Sequence, residues 1–321
     1  MPSTVLILGA AGRIGHCLAS AFADAGWQVR AQSRKPLAQA LATRPQVHVV
    51  RCRALDASAI LGAAQGVDVV IHALNPPYTD WDRLALPLTD AAIAAASASG
   101  ALLMMPGNVY NFGNELPPLL TLATPERGNT AKARIRIEIE ARIAAAPQLD
   151  SVVIRAGDFF GSPQSGSWFD LALTSKLASG RFIYPGPTNV AHAWAYLPDL
   201  ARVFVRVAGK RAQLRGPRRL HFAGHTVNGD EMRRAIEAAA GRSQRIGTLP
   251  WWLFRLASPL VPLWRELLAM RYLWQRPHRL DDSALVALIG PVQSTPLQQA
   301  VNTALADTGA LNRHDPRIAP A

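Results

Sequence analysis

The chain has 321 residues, of which 49% are hydrophobic, and a formal net charge of +12 at neutral pH. This length and apolar fraction are typical of a globular protein with one large core, or one main core and a smaller lobe, and they argue against a disordered chain. The basic residues are dispersed apart from the short run Arg215, Arg218 and Arg219, so the charge favours a solvated surface over nucleic-acid binding.

The N-terminus and the cysteine content predict a cytoplasmic protein. Strand-like residues begin at Thr4, and no basic region with an apolar core of the secretory type precedes them. Cys17 and Cys52 are the only cysteines, and both lie in segments that resemble a buried helix or strand, so no disulfide framework is expected. The sequence shows no metal-ligand spacing, and no metal site is predicted.

The first half of the chain alternates between short apolar runs and segments with helical spacing. The apolar runs predict strands over 4–8, 27–32, 47–51, 67–73, 101–105 and 151–155. Helices are predicted over 14–25, 84–99 and 130–146, with further Ala-rich stretches between the other strands. Because parallel strands need crossover connections, this alternation predicts an α/β fold, a Rossmann-type doubly wound parallel sheet of seven strands.

The first predicted strand runs into a glycine-rich turn that opens a helix, with glycines at 9, 12 and 15. In this pattern the first glycine permits the tight turn, the second lets the backbone approach a pyrophosphate, and the third allows close packing of helix on strand. The free N–H groups at the helix N-terminus bind the anion. The turn therefore predicts a dinucleotide site formed by Gly9, Ala11, Gly12, Arg13, Ile14 and Gly15.

The end of the second predicted strand indicates which dinucleotide is bound. An NAD-selective site usually places Asp or Glu there, but the sequence reads Gln32-Ser33-Arg34-Lys35. Ser33 and Arg34 could hold the adenosine 2′-phosphate, so NADP is favoured, with NAD and an ordinary basic turn as alternatives. Further cofactor contacts are expected at the ends of the third and fourth strands, from Asp56 to the adenine and from Ala73, Leu74 and Asn75 to the middle of the cofactor.

The pattern becomes less regular after Gly157 and indicates a smaller C-terminal substrate lobe. Turn-rich pieces at 161–166 and 184–187 alternate with helices predicted over 168–179 and 198–208. We therefore expect an NAD(P)-binding domain over 1–157 and a mixed α/β lobe over 158–321, with some elements of the lobe returning to the first domain.

Four motifs in this chain resemble the extended short-chain dehydrogenase/reductases, often labelled NAD-dependent epimerase/dehydratase proteins. They are LGAAGRIG at the first strand, IHALNPP after the fourth, NVYNFG after the fifth and VVIRAGDFFG around the sixth, with a looser match over 192–201. The resemblance implies a nicotinamide cofactor and a small-molecule substrate, and it leaves a homodimer open.

The catalytic hydroxyls of that family are missing from this chain. The family uses a Ser or Thr shortly before the Val-Tyr pair, and a Tyr four residues before a Lys. Here these positions are Pro106, before Val109-Tyr110, and Gly128, before Lys132. Neither residue has a side chain that can transfer a proton, so the usual mechanism is not carried over.

Lys132 remains, and it has two interpretations. In the atypical reductases that resemble isoflavone reductase and NmrA, a lysine at this place serves as the base. Alternatively, Lys132 holds the nicotinamide ribose, while Arg136 and Glu140 form an ion pair on the helix surface.

Lys132, Tyr110 and Asn108 are the predicted catalytic residues. Tyr110 belongs to the Val-Tyr pair, and Asn108 lies two residues beyond the vacated Ser/Thr position. Other side chains that could donate a proton near the nicotinamide are Tyr78, Tyr184, His192 and Tyr196.

The aromatic segment 249–273 predicts a helix pair that packs on the lobe or closes the substrate pocket. Its longest uncharged run, between Arg255 and Arg265, is too short to span a bilayer. Interfacial membrane contact and dimerisation remain alternatives.

The sequence favours an atypical short-chain oxidoreductase that transfers hydride from NADPH to a small carbonyl or enone substrate. One alternative is an NmrA-like sensor that binds NAD(P) without turnover, because both hydroxyl residues are lost. The other is an accessory structural subunit, suggested by the aromatic segment.

Overall fold

A computed structural model of the chain describes residues 2–310, so that residues 311–321 of the predicted lobe lie outside the described range. The strands are β1 (Thr4–Leu8), β2 (Gln28–Gln32), β3 (Val47–Val50), β4 (Val69–His72), β5 (Leu102–Gly107), β6 (Leu119–Leu120), β7 (Ser151–Arg155), β8 (Asp158–Phe160), β9 (Arg181–Tyr184), β10 (His192–Tyr196), β11 (Pro217–His221), β12 (His225–Val227), β13 (Arg245–Thr248) and β14 (Arg279–Leu280). The helices are α1 (Arg13–Asp24), α2 (Gln39–Ala42), α3 (Ala57–Ala64), α4 (Trp81–Ser99), α5 (Ala131–Ala145), α6 (Leu197–Ala208), α7 (Gly229–Ala240), α8 (Trp251–Ala257), α9 (Pro262–Leu268), α10 (Ser283–Ile289) and α11 (Leu297–Asp307).

Seven parallel strands form the central sheet, in the order β11-β7-β5-β4-β1-β2-β3. The predicted fold class, a Rossmann-type doubly wound parallel sheet, is therefore confirmed. Six of its strands were predicted from the first half of the chain. The seventh, β11, comes from the second half and was missed because it begins with the exposed residues Pro217, Arg218 and Arg219 instead of an apolar run.

Both faces of the sheet are buried under helices, which explains why the central strands are continuously apolar. Side chains alternate along β1, so Val5 and its face pack with α1, α6 and α10, whereas Leu6 and its face pack with α3, α4 and α5. The two apolar cores therefore lie on opposite faces of one sheet.

The strand order reverses between β1 and β4, which are neighbours in the sheet although β2 and β3 lie between them in the chain. Loops that leave adjacent strands at such a point run to opposite faces and open a crevice at the carboxyl ends. The glycine turn after β1 and the segment after β4 border this crevice.

The second half of the chain builds small sheets over that crevice, in the order β12-β10-β8 and, as a pair, β13-β9. The helix predicted over 168–179 is wrong, because the structure has a π-helical turn at Phe169–Leu173 and a 3-10 turn at Leu177–Ser179. The Thr174 hydroxyl donates to the Phe169 carbonyl, and local side-chain bonds of this kind compete with a regular helix.

Candidate functional site

The glycine turn between β1 and α1 has the geometry that its sequence predicts. Gly9 has φ of +88°, a conformation that side chains disfavour, and a Cβ on Gly15 would lie 2.2 Å from the Gly9 carbonyl oxygen. Helix α1 begins after Gly12 without a side-chain cap, so its first N–H groups are available to an anion. The turn fits a pyrophosphate.

A cavity of about 770 Å³ starts at this turn and extends over the carboxyl ends of the strands. This volume is within the range of small-molecule and cofactor sites. The predicted cofactor residues that line it are Gly9, Ala11, Gly12, Arg13, Ile14, Ser33, Arg34, Ala73, Leu74 and Asn75.

The end of the cavity beside β2 is basic. Arg34 and Lys35 are exposed, and neither has a carboxylate within 4.0 Å among residues 2–310. The Ser33 hydroxyl accepts a bond from the Lys35 N–H and donates to the Lys35 carbonyl, which fixes this short turn. Gln32 stands beneath it, with Oε1 accepting from the Gly9 N–H at 3.0 Å and Nε2 donating to the Cys52 carbonyl.

Three residues predicted for the cofactor site do not line the cavity, namely Asp56, Gly15 and Lys132. Asp56 caps α3 instead, because its Oδ1 accepts from the Ala59 N–H at 3.2 Å and from the Ser58 hydroxyl at 2.9 Å. These bonds lower the pKa of Asp56 and keep its carboxylate on the helix terminus. Gly15 contributes through packing, because a Cβ at this position would overlap the Gly9 carbonyl oxygen.

A pair of tyrosines forms one wall of the cavity. The hydroxyls of Tyr78 and Tyr110 lie 3.0 Å apart, and Asn108, also on the cavity wall, accepts the Tyr110 N–H through Oδ1 at 3.0 Å. Burial raises the pKa of Tyr78 and raises that of Tyr110 well above its usual value. Both phenols carry their protons at neutral pH, as an unperturbed tyrosine also does, and can donate hydrogen bonds.

Lys132, the third predicted catalytic residue, does not line the cavity. Its side chain is 3% exposed, and Nζ donates to Glu266 Oε2 of α9 at 2.7 Å. The same ammonium lies 4.5 Å from the Tyr78 ring centre and 4.9 Å from that of Trp81. Lys132 was predicted to act as a base or to hold the nicotinamide ribose, and its role stays a prediction. In this structure its partners hold its charge behind the aromatic wall.

Arg136, one turn further along α5, lines the cavity instead. Its guanidinium lies 4.9 Å from the Trp81 ring centre, and its buried Nε has no hydrogen-bond partner in the described part of the chain. Burial lowers the pKa of Arg136, but a guanidinium keeps its charge at neutral pH. Arg136 therefore brings a positive charge to the cavity wall.

His72, at the end of β4, lies beside Arg136 around a small recess of the cavity. The Thr89 hydroxyl donates to the Ala85 carbonyl, so it accepts the bond from His72 Nε2 at 3.1 Å and leaves Nδ1 as an acceptor. No partner for Nδ1 is found among residues 2–310. Burial and the charge of Arg136 lower the pKa of His72 to about 3, and the recess of about 10 Å³ has room for roughly one water.

The surface ion pair expected between Arg136 and Glu140 is wrong. Glu140 is buried, and its carboxylate accepts bonds from Arg155 of β7 and from the Asn111 amide. Glu126 joins the same network through Arg155. A buried network of this kind holds α5 against the sheet, which positions Arg136 at the cavity.

Asp158, where the chain leaves β7 for β8, is another cavity residue with a buried partner. Its Oδ2 lies 2.8 Å from His192 Nε2, and the His192 ring stacks on Trp274 at 4.3 Å. His192 therefore stands behind the cavity wall. Tyr184 and Tyr196, the other proton donors considered, do not line the cavity.

The roof of the cavity comes from the second half of the chain. The loop 164–168 lines the cavity, and the hydrocarbon side chains Leu249, Phe254 and Leu267 come from the region of α8 and α9. The sequence did not show which residues these segments pack against. The many aromatic residues of α8 and α9 did predict that this region closes the cavity. Nothing in the sequence identified Trp81 and Asp158 as cavity residues.

Residues 2–310 show neither a membrane-spanning helix nor a metal-binding cluster. No helix in this range is long and apolar enough to cross a membrane. Nor does the range contain a group of three or more His, Cys, Asp or Glu side chains arranged to hold a metal ion.

Comparison with known proteins adds sequence relatives. Residues 1–98 match the model of the NmrA-like family. A 3-diazoavenalumate denitrifying reductase from Streptomyces is 29% identical over 211 residues, which cover 59% of this chain and 67% of that protein.

Solved structures extend the similarity to nearly the whole chain. The Bordetella bronchiseptica enzyme WbmH, in complex with NAD⁺, has a TM-score of 0.75 at 18% identity, with 96% of this chain and 98% of that chain covered. UDP-glucose 4-epimerase from Stenotrophomonas maltophila has a TM-score of 0.76 at 17% identity, with 97% and 99% covered. This chain has the fold of an extended short-chain dehydrogenase/reductase.

The fold that the sequence resemblance implies is therefore confirmed, and this fold explains where the cavity lies. In this fold the glycine turn and the switch point of the sheet form one end of the site, and the second half of the chain covers the other. The superfamily contains many chemistries, so the function has to be argued from the side chains in the cavity.

Proposed function

We propose that this chain is an NAD(P)-dependent oxidoreductase that reduces a small carbonyl or enone substrate by hydride transfer. The observation that carries the proposal is the continuity of the cavity. One space of about 770 Å³ joins the glycine turn at Gly9 and Gly12 to the hydroxyls of Tyr78 and Tyr110. A dinucleotide with its pyrophosphate on the turn fits along this path.

The glycine turn would hold the pyrophosphate through backbone N–H groups, and Ala73, Leu74 and Asn75 would flank the middle of the cofactor. Arg34 and Lys35 favour NADP over NAD, because two cations without carboxylate partners in the described chain suit a 2′-phosphate. The bound cofactor supplies the hydride, and the chain supplies binding, orientation and the proton.

The lysine of the superfamily has its counterpart here in Arg136 instead of Lys132. Arg136 is the cation of α5 that lines the cavity, and the residue four positions before it, where the family has tyrosine, is Lys132. Arg136 would thus orient the nicotinamide end of the cofactor or the substrate oxygen. Lys132 would act on the site indirectly, through the rings of Tyr78 and Trp81.

Tyr110 is the proton donor that the geometry favours. It lies on the cavity wall, carries its proton at neutral pH as any tyrosine does, and is hydrogen-bonded to Tyr78, which can replace a transferred proton. A positioned phenol stabilises the alkoxide that forms when a carbonyl accepts hydride. The reductase named among the sequence relatives supports reduction as the class of reaction.

One further function has specific support, namely an NAD(P)-binding sensor without turnover. The match of residues 1–98 to the NmrA-like family covers the nucleotide end of the site, and Pro106 occupies the position of the family's Ser or Thr. A sensor needs the glycine turn and Arg34 but has no need of the tyrosine pair.

The experiment that separates the two functions is NADPH consumption with a panel of aldehydes, ketones and enones. We expect the wild-type chain to turn over part of the panel, and Arg136→Ala to reduce kcat/KM about 100-fold, which is typical of losing one stabilising charge. The matched control is Arg134→Ala, an exposed arginine of the same helix, which is expected to stay within about twofold of wild type. Saturable NADPH binding without oxidation across the panel would favour the sensor.

A further inference from the structure

Helices α8 and α9 form a hairpin that presents a cluster of large apolar side chains to solvent. Trp252, Leu256 and Leu260 are 71%, 72% and 86% exposed. Of the twelve exposed large hydrophobic residues in the described chain, five lie within this hairpin, whereas the rest are scattered. Scattered apolar residues are normal, but such a cluster marks an interaction surface. The hairpin surface, as the term is used below, consists of Trp252, Leu253, Leu256, Leu260 and Leu263.

The inner side of the same hairpin is anchored to the protein. Trp251 Nε1 donates to the Pro185 carbonyl at 2.7 Å, and Glu266 accepts from Lys132 at 2.7 Å. The ring of Phe254, which lines the cavity, stacks on Trp264 at 4.7 Å. The inner face of the hairpin therefore packs on the protein, and the hairpin surface is the opposite face, which points to solvent.

The charges around the hairpin surface are mainly positive. Four exposed arginines lie on or beside the two helices, and the only acid between 249 and 277 is Glu266. Its Oε2 accepts from the buried Lys132, and its Oε1 lies 3.6 Å from Arg265 Nε, so Glu266 is shared between one inner and one outer cation. The exposed arginines are Arg255, Arg265, Arg271 and Arg276. Apolar side chains that include tryptophan, flanked by arginines, are typical of helices that lie in the interface of an anionic bilayer.

We infer that the hairpin surface docks on an anionic lipid bilayer, with Trp252, Leu256 and Leu260 in the headgroup and upper acyl region and the arginines on lipid phosphates. A second copy of the chain fits this surface less well, because each copy would bring the same arginines and a net charge of +12. An anionic bilayer offers hydrocarbon to the apolar side chains and phosphate groups to the arginines.

The test is flotation of the full chain with vesicles of phosphatidylcholine, either alone or containing about one third phosphatidylglycerol. We expect binding to the anionic vesicles that falls with salt and is at least about tenfold weaker on the neutral ones. The double variant Trp252→Glu and Leu256→Glu is expected to lower the partition coefficient at least about tenfold, because two apolar anchors are lost.

Two matched controls separate a local effect from a general one. Leu61→Glu places the same charge at an exposed leucine of α3, and the pair Arg215→Gln and Arg218→Gln removes two charges from the sheet edge. Both controls should bind within about twofold of wild type, whereas Arg255→Gln with Arg265→Gln should bind about tenfold more weakly. Thermal melting checks that every variant is folded.

Several results would overturn the inference. They are equal binding to neutral and anionic vesicles, no binding to either, or the same loss in the control and hairpin variants. A dimer in light scattering that Leu256→Glu converts to monomer, without vesicle binding by the wild type, would assign the hairpin surface to self-association instead.

Discussion

Arg136 and Lys132 lie one helical turn apart on α5 but have different surroundings. Lys132 is paired with Glu266 and covered by two aromatic rings, whereas Arg136 borders the cavity with a free Nε. Removing one partner of a buried ion pair costs about 3 kcal/mol, so Lys132 contributes to holding α9 in place. Of these two cations of α5, Arg136 is the one that can meet a ligand in the cavity.

Tyr110→Phe tests the proton donor at the scale of one atom. The change removes the hydroxyl that lies 3.0 Å from Tyr78 and leaves the ring in its aromatic setting. Because the phenol serves the transition state, we expect kcat to fall about 100-fold with little change in NADPH affinity. Steady-state kinetics and fluorescence titration measure the two quantities.

The matched control for this prediction is Tyr184→Phe, because Tyr184 is also buried but does not line the cavity. It should keep kcat within about twofold of wild type. Equal losses in the two variants would show that the effect comes from stability, and an unchanged kcat in Tyr110→Phe would remove Tyr110 from the reaction.

Site residues on the glycine turn could be predicted from the sequence, whereas those at the reacting end could not. The turn is a local motif whose backbone geometry follows from consecutive residues. Its members Gly9, Ala11, Gly12, Arg13 and Ile14 reach the cavity. The burial of Lys132 depends on Glu266, which lies 134 residues away in the chain. Counting from a family motif cannot reveal a contact of that kind.

At the scale of elements, the junction of β1 and α1 depends on Gly15. A Cβ there would lie 2.2 Å from the Gly9 carbonyl oxygen and 2.9 Å from the Ala10 Cα, both backbone atoms. We expect Gly15→Ala to lower the free energy of unfolding by about 2–3 kcal/mol and to abolish NADPH binding, because the turn must move. Urea unfolding and cofactor titration provide the measurements.

Gly62→Ala is the control for this substitution, because Gly62 lies within α3 with no atom within 4 Å of an added Cβ. Alanine should stabilise that helix by about 0.5–1 kcal/mol and leave NADPH binding unchanged. If Gly15→Ala behaved like Gly62→Ala, the close approach of helix and strand would be refuted.

Elements with strong periodicity were predicted, and those formed by tertiary contacts were not. Strands β1 to β5 and β7 and helices α1, α4 and α5 follow from apolar runs and helical spacing in the sequence. Strand β11 is half polar and exists because its residues pair with β7, from Pro217 opposite Ser151 to His221 opposite Arg155. The helix predicted over 168–179 failed because side-chain bonds to the local backbone outweighed helix propensity.

At the scale of the whole molecule, three buried histidines make stability depend on pH. Burial lowers the pKa to about 3 in His72 and His278 and to about 4 in His221, from the ordinary value of 6.5. Below pH 6.5 the unfolded chain protonates these histidines, whereas the folded chain keeps them neutral. The stability that the folded chain has with neutral histidines is therefore fully present above pH 6.5 and is lost as the pH falls toward 4. Each unit in this window costs up to about 1.4 kcal/mol per histidine.

We therefore expect the Tm to fall by several degrees between pH 7 and pH 5. Thermal unfolding monitored by circular dichroism measures this change. His278→Gln should make the dependence on pH shallower, because one buried group no longer takes up a proton on unfolding. His48→Gln, at an exposed position, should leave it unchanged. A Tm that is flat between these pH values would show that the histidines are not held neutral by burial.

The central claim, that the cavity holds a reduced nicotinamide dinucleotide with its 2′-phosphate on Arg34, is tested most directly by titrating the full chain with NADPH and NADH. Trp81 and Trp168 line the cavity, so quenching of tryptophan fluorescence reports binding. The account predicts saturable binding of NADPH at least about tenfold tighter than that of NADH, and loss of this preference in Arg34→Ala, because a charge-assisted contact is removed. Absence of saturable binding by either nucleotide would contradict it.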